Sequence, residues 1–276
     1  MNLTVAIESA ELKYRQILED FFVSAYTENK LPSHGIDHHR RVWRYAKELL
    51  LLPGSNKIFP SGLNPAKLII ACYLHDAGMS AFPGPRHGRE SRKLCQKFLK
   101  INRLARLEDN ELLDAIEYHD IKEYKVTPEK NDILKILSMA DDLDAYGHIG
   151  IYRYSEVNII RGTDPAVMGD AIIGNARKRF NYFQQILGSG NDFVSSNKGR
   201  LDILTAFFSI YSRFAVTYDF SRPVPEGYCG VIQVFMRMVR NKWSLAQLFS
   251  NIRAFREDIV IRTFFENLKQ EFEVSA

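Results

Sequence analysis

Cysteine is scarce in this chain, with three residues among 276, Cys72, Cys95 and Cys229. Their odd number and spacing suit neither a disulfide framework nor a zinc knuckle, so reduced, packed thiols are expected. Long apolar runs are missing too. No stretch approaches the ~18 consecutive apolar residues of a membrane-spanning helix. The segment from Met1 to Tyr14 carries glutamates and lacks the continuous apolar core of a secretion signal. A cytoplasmic location without membrane contact is therefore expected. Strong charge bias is a third absence. The formal net charge of +4 is spread along the chain, which points only weakly to an anionic ligand and does not require nucleic acid as a partner. Two-residue alternation is rare, which argues against a sheet-based fold, and there is no internal repeat or low-complexity tract.

What is present is helical periodicity, in a composition of 46% apolar and 25% charged residues that is ordinary for a globular chain. The fold class expected is all-α. The pattern predicts helices from about Glu8 to Tyr26, Asp37 to Leu52, Pro65 to Ala77, Arg89 to Lys100, Asp109 to Tyr118 or slightly beyond, and Asp132 to Leu143. After Ile151 it predicts longer pieces, Pro165 to Leu187, Gly199 to Tyr218 and a final run from Trp243 to Val274. Asn64 before Pro65 reads as a cap followed by a proline at the first helical position, and Gly78 reads as a stop. The segment from Gly188 to Lys198 is the best flexible break. The helices after it are amphipathic and aromatic-rich, so one domain spanning 1–276 with a C-terminal helical extension at about 160–276 is expected. The aromatic helices of the extension suit a homodimer face as readily as a core.

Six of the seven histidines fall between His34 and His119, and the seventh is His148. In the helix starting near Asp37, Val42, Tyr45, Ala46 and Leu49 make an inward stripe that His38 continues at three- and four-residue spacing. His39 lies about a hundred degrees round the axis, so the stripe favours His38. The helix from Lys67 to Ala77 is apolar on nearly every side until it ends in His75 and Asp76. A carboxylate is costly in such a core unless a cation or hydrogen bonds replace lost water, and a metal ion would satisfy both side chains. His119 continues the stripe of Leu112 and Ile116, and Asp141 that of Leu134 and Leu137. Asp142 lies with Lys135 and Ser138 and is expected to face water, whereas Asp144 follows Ile133, Leu137 and Ala140 and is expected to turn in. Four helices thus aim imidazoles and carboxylates at a common interior, as metal-binding helical bundles do.

His38-x-x-Arg41-Val42, His75-Asp76 and Ala140-Asp141-x-Leu143-Asp144-Ala145-x-Gly147 together resemble the ordered motifs of the HD superfamily of metal-dependent phosphohydrolases. The resemblance covers roughly Leu31 to Arg153 and implies an HD-domain helical bundle with that span, about 31–153, as its core. It implies metal ligands at His38, His75, Asp76 and Asp141. In multi-metal relatives two further histidines hold a second ion, and His87 and His119 occupy comparable places. His34 matches a position that is often histidine in small bacterial members without being a core ligand there. No lysine follows His75-Asp76-Ala77-Gly78, and the longer signatures of the cyclic-dinucleotide and triphosphohydrolase branches are missing, so the resemblance does not name a substrate.

Two imidazoles and two carboxylates make a mixed nitrogen and oxygen site suited to manganese, iron, cobalt, nickel or magnesium, one or two ions per chain, rather than to closed thiolate zinc. Such an ion brings the pKa of a bound water towards neutrality and polarises a phosphoryl oxygen. Asp76 is a candidate to ligate and to orient or deprotonate the water. His119 or His87 could bind a second ion, contact phosphate or protonate the leaving oxygen. The loop of Pro83, Gly84, Pro85, Arg86, His87, Gly88 and Arg89 places Arg86 and Arg89 beside the metal as phosphate clamps, with Arg41 and Arg153 as further candidates for substrate binding. Against these stand plainer roles. His87, His119, His34 and His39 could each be a hydrogen-bonded core residue, His148 a cap near Gly147 and Gly150, Asp144 an anchor for a ligand, Arg177 to Arg179 a solvated face, and Phe207, Phe208, Tyr211 and Phe214 plain core. The expected activity is hydrolysis of a nucleotide or other small phosphoester. A di-iron oxygenase and a nucleotide-binding sensor without turnover are the alternatives.

Overall fold

A computed structural model describes residues 2–26, 31–55, 58–59, 62–84, 86–121, 131–255 and 257–275. Pro85, part of the loop expected to clamp phosphate, lies outside them. Among the described residues there are twelve α-helices and no strand, so the fold is all-α. The helices are α1 (Leu3–Ala25), α2 (Ile36–Leu51), α3 (Pro65–Leu74), α4 (His87–Ile101), α5 (Asn110–Tyr118), α6 (Asp132–Leu143), α7 (Gly147–Ile160), α8 (Pro165–Leu187), α9 (Asp192–Ala215), α10 (Gly227–Asn241), α11 (Leu245–Asn251) and α12 (Ile259–Ser275). They fall into two compact units, Met1–Asp144 and Ala145–Ala276. The division comes at Asp144, ahead of the Arg153 at which the sequence motifs end the core.

In the first unit α3 is the central element and packs against α1, α2, α4, α5 and α6. It starts where Asn64 accepts the Ala66 N–H at 3.0 Å ahead of Pro65. Every residue from Leu68 to Leu74 is buried, as a helix apolar on all sides requires. The helix is shorter than its pattern predicts. It closes at Leu74, His75 forms its C-cap, and the chain tightens into a 3-10 turn over Ala77–Ser80. Gly78 does more than stop a helix. A Cβ there would lie 2.4 Å from the backbone oxygen of His87 and 2.6 Å from the nitrogen of Ser91, so glycine lets the turn press against the start of α4. The Ser91 hydroxyl accepts the Gly78 N–H at 2.9 Å and fixes that approach.

The second unit departs further from its sequence pattern. Helix α9 begins at Asp192, capped by Asn191, so the break expected over Gly188 to Lys198 shrinks to a short turn at Gly188, whose φ is 81°. The run expected from Trp243 to Val274 is two α-helices, α11 and α12. The pattern does not anticipate α7 or α10. Helix α7 has apolar residues around its whole circumference and hence no stripe to read. Its N-terminus is capped from a distance, with Glu271 accepting the N–H groups of His148 at 2.7 Å and Ile149 at 3.1 Å. A carboxylate is favoured at that helix end, so His148 is a structural residue of this cap. Phe207, Phe208 and Tyr211 are buried, whereas Phe214 is exposed.

Candidate metal centre

The centre is built in the first unit from the ends of short helices. His38 stands in the first turn of α2, with Val42, Tyr45, Ala46 and Leu49 below it on the buried face. Its Nδ1 lies 2.7 Å from Asp144 Oδ2, and its Nε2 lies 3.2 Å from His75 Nε2. The His75 Nδ1 donates to the carbonyl of Cys72 at 3.0 Å. Asp76 Oδ2 lies 3.4 Å from the Nε2 of both His38 and His75, and Asp141 Oδ1 lies 3.7 and 3.8 Å from the same two nitrogens. All four side chains are buried, and each offers a ligand atom within 4.8 Å of the others. They form one pocket that could hold a divalent ion.

The other oxygen of Asp76 faces a second pocket. Oδ1 lies 2.9 Å from His87 Nε2 and 3.0 Å from His119 Nε2, and those two nitrogens are 3.2 Å apart. Asp76, His87 and His119 form a second buried group with ligand spacing. The close approach behind this pair again depends on glycine. A Cβ on Gly88 would sit 2.2 Å from the backbone oxygen of Glu117, so only glycine lets the start of α4 meet the end of α5 and bring His87 to His119.

Ring orientation is set by backbone. His75, His87 and His119 each turn Nδ1 to the carbonyl three residues earlier, Cys72, Gly84 and Ile116, at 3.0, 3.2 and 2.7 Å. A carbonyl only accepts, so Nδ1 carries the proton and the Nε2 lone pair points into the pocket, the arrangement an imidazole ligand needs. The Asp144 carboxylate does the same for His38. Electrostatics agrees with a cation. His75 and His119 are the C-caps of α3 and α5, and Asp141 and Asp144 end α6, so the negative ends of three helices meet here. Protons compete for the same atoms. At His75 burial works against the charged ring, but the carboxylates of Asp76 and Asp141 outweigh it and raise its pKa to about 9. Burial acts likewise on His87 and is likewise outweighed, chiefly by Asp76, so its pKa is raised. At His119 burial wins and the pKa is lowered. Asp76 is held well below the usual carboxylate range, because the His75 charge and hydrogen bonds from His119, His38 and His75 overcome burial.

The remaining candidates are placed differently. His34 is buried at the edge of the first pocket, 2.7 Å from the Ser33 hydroxyl through Nδ1 and 3.8 Å from Asp76 Oδ2 through Nε2. His39 is buried against Phe22, donates Nδ1–H to the Cys72 carbonyl at 3.1 Å, and has its pKa driven well down by burial. Arg41 is buried and engages Asp144 through Nε at 2.6 Å and Nη2 at 3.0 Å. Arg89 is exposed, with Glu117 3.5 Å away, and Arg86 is exposed immediately before His87. Arg153 lies buried on α7, in the second unit. Asp142, expected to face water, is buried, because the C-terminal half of α6 is covered on every side. The Cys72, Gly84 and Ile116 carbonyls, with Gly78 and Gly88, are parts of the site that side-chain periodicity does not reveal. The recurring three-residue offset before a histidine is the signal that marks the carbonyls.

An all-α unit that aims imidazoles and carboxylates from several helices at buried pockets has the arrangement in which helical bundles hold metal ions. The family is specified by the sequence of that unit. Residues 35–146, under half of the chain, match the family model of the HD domain, and that span holds His38, His75, Asp76, His87, His119, Asp141 and Asp144. The chain therefore contains an HD domain over those residues, a domain whose family is mostly made up of metal-dependent phosphohydrolases. No curated protein and no solved structure matches the chain.

Proposed function

We propose that the chain is a metal-dependent phosphohydrolase, acting as a phosphomonoesterase or phosphodiesterase on a nucleotide or another small phosphoester. The observation that carries this reading is the division of Asp76, with one oxygen facing the His38, His75 and Asp141 pocket and the other facing the His87 and His119 pocket. A single carboxylate so placed is suited to join two divalent ions, and the nitrogen and oxygen donors fit manganese, iron, cobalt, nickel or magnesium. When bound, such ions polarise a phosphoryl oxygen and make hydroxide available near neutral pH. The chain's own part is to hold and orient. His38, His75 and Asp141 fix the first pocket, Asp76 spans both, and His119, turned by the Ile116 carbonyl, is a candidate to bind the second ion or to pass a proton to the leaving oxygen. Arg86 is the exposed cation closest in sequence to the ligands and is suited to contact phosphate. The reading includes a small phosphorylated partner and a cytoplasmic location. Among the described residues no helix is long and apolar enough to cross a membrane.

The test strips the protein of metal, resupplies Mn, Co, Ni, Mg, Fe and Zn separately, and follows phosphate release from monoesters and diesters, with Asp76→Ala alongside. Metal-restored release that is absent in the variant is expected. Metal binding without cleavage of any ester would overturn the reading. The same divided carboxylate favours one second reading, a di-iron oxygenase, which oxygen consumption by the iron-loaded protein would distinguish.

A further inference from the structure

The chain between the 3-10 turn and α4 is tied to the centre at both ends. Asp76 precedes it and His87 follows it, and their side chains meet at 2.9 Å. Between them the Phe82 N–H bonds the Gly78 carbonyl at 3.0 Å and the His87 N–H bonds the Gly84 carbonyl at 3.3 Å. An aromatic ring projects from this segment into solvent, with Phe82 47% exposed. A lone exposed apolar side chain is ordinary on a protein surface, but this one is seated. A Cβ on Gly84 would fall 2.9 Å from Phe82 Cε1 and Cζ, so the ring lies close against the Gly84 backbone. The carbonyl of that same residue orients His87. Ring, Gly84 backbone and His87 imidazole thus lie in successive contact, so the ring stands one residue away from a group that faces the second pocket. Beside His87 stands Arg86, exposed and held at φ 88°, with its carbonyl accepting the Arg89 N–H at 3.1 Å and no hydrogen bond or ion pair to its side chain among the described residues. A non-glycine residue in the left-handed region is uncommon, and among the described residues Arg103 and Lys242 share it.

We propose that Phe82 is a specificity-determining residue of this site, a shelf on which a planar heteroaromatic ring of the substrate stacks while Arg86 meets the phosphate, so that nucleotides are the preferred phosphoesters. This rests on the phosphoester reading of the metal centre. Stacking needs an open aromatic face and no hydrogen-bond code, so the shelf accepts different bases. Arg86 contributes to every phosphate-bearing ligand, and Phe82 only to those with a ring.

The test measures equilibrium binding to the metal-loaded full chain of three probes: an adenosine 5′-phosphonate that cannot be hydrolysed, the corresponding ribose phosphonate without the base, and inorganic phosphate. Phe82→Ala is expected to weaken the adenosine ligand about tenfold, the order of one base-on-aromatic stack, and to leave the other two unchanged. Arg86→Ala is expected to weaken all three. Phe82→Trp should retain affinity, and its indole emission should be quenched by the adenosine ligand alone. Equal effects of Phe82→Ala on all three probes, or none on any, would overturn the shelf. Hydrolysis of small phosphoesters without a base preference, unaffected by Phe82→Ala, overturns the shelf while the hydrolase reading stands. Selective binding through Phe82 with no turnover of any ester does the reverse.

Discussion

The Asp144→Asn substitution separates the supports of the centre most sharply. Asp144 is wholly buried at the end of α6 and accepts from His38 Nδ1 at 2.7 Å, Arg41 Nε at 2.6 Å and Arg41 Nη2 at 3.0 Å. The amide has the same shape but no charge, and its NH₂ group must face one of these donors. Removing one partner of a buried ion pair costs about 3–5 kcal/mol. Asparagine keeps one acceptor, so the expected loss of stability is near the lower end, ~3 kcal/mol. Losing the outer partner of a histidine ligand costs about 10–100-fold in metal affinity. That loss should be confined to the pocket of His38, because neither His87 nor His119 contacts Asp144 among the bonds described. Two measurements read the two effects. Denaturation of the chelator-treated protein, followed at Trp43 on α2 in a Trp243→Phe background, reports the first unit alone, which matters because a chain of two compact units need not unfold in one step. Calorimetric titration with Mn or Co reports metal affinity. A variant with both wild-type stability and wild-type metal affinity would refute the assignment of Asp144 as the support of His38 and Arg41.

Three more outcomes follow from the same geometry. The raised pKa of His75, about 9, and the raised pKa of His87 mean that an ion must displace their protons. Binding near neutral pH should therefore acidify a weakly buffered solution, and displacement of the His75 proton alone should lower affinity by about tenfold per pH unit as pH drops below about 9. Metal-free stability has the opposite sign. The charged form of His75 is favoured by folding, so its contribution is complete below the unfolded pKa of about 6.5 and is lost as pH rises through about 9. Affinity independent of pH would contradict both statements. Gly88→Ala acts on the other pocket. Its Cβ must move a backbone oxygen now only 2.2 Å away, so destabilisation of about 1–3 kcal/mol is expected, with weaker binding at the His87 and His119 pocket and unchanged binding at the first.

The inward placement of the candidate ligands was legible because a polar residue is conspicuous where a helix is otherwise apolar. His75 and Asp76 end a helix whose residues from Leu68 to Leu74 are all buried, and His38 continues a stripe that the structure buries in full. Periodicity failed where burial has no direction. On α6 the stripe that should have exposed Asp142 is itself covered, and α7, apolar all round, offered no pattern to recognise. His39 shows the same limit, since it is buried beside His38 although a hundred degrees of rotation separate them. Backbone contributions were hidden for a different reason. Gly78 reads as a stop and Gly88 as loop, yet each is needed because another strand of backbone lies too close for a Cβ. Such a requirement comes from tertiary packing, which no local spacing encodes.

The hydrogen bonds of the four imidazoles also explain how one arrangement serves with and without a cation. With protons, charged His75 and His87 balance Asp76, which stays ionised because they surround it. An ion held there would supply the positive charge instead, and only the protons on Nε2 would need to leave. The Nδ1 bonds to Cys72, Gly84, Ile116 and Asp144 are compatible with both states, so the exchange requires no ring to turn. A site whose ligands keep their orientation through the exchange loses little free energy to reorganisation on binding. Discrimination among ions then falls to the number and type of donors rather than to movement of the chain. Asp76, whose two oxygens face different pockets, would contribute one of those donors to each.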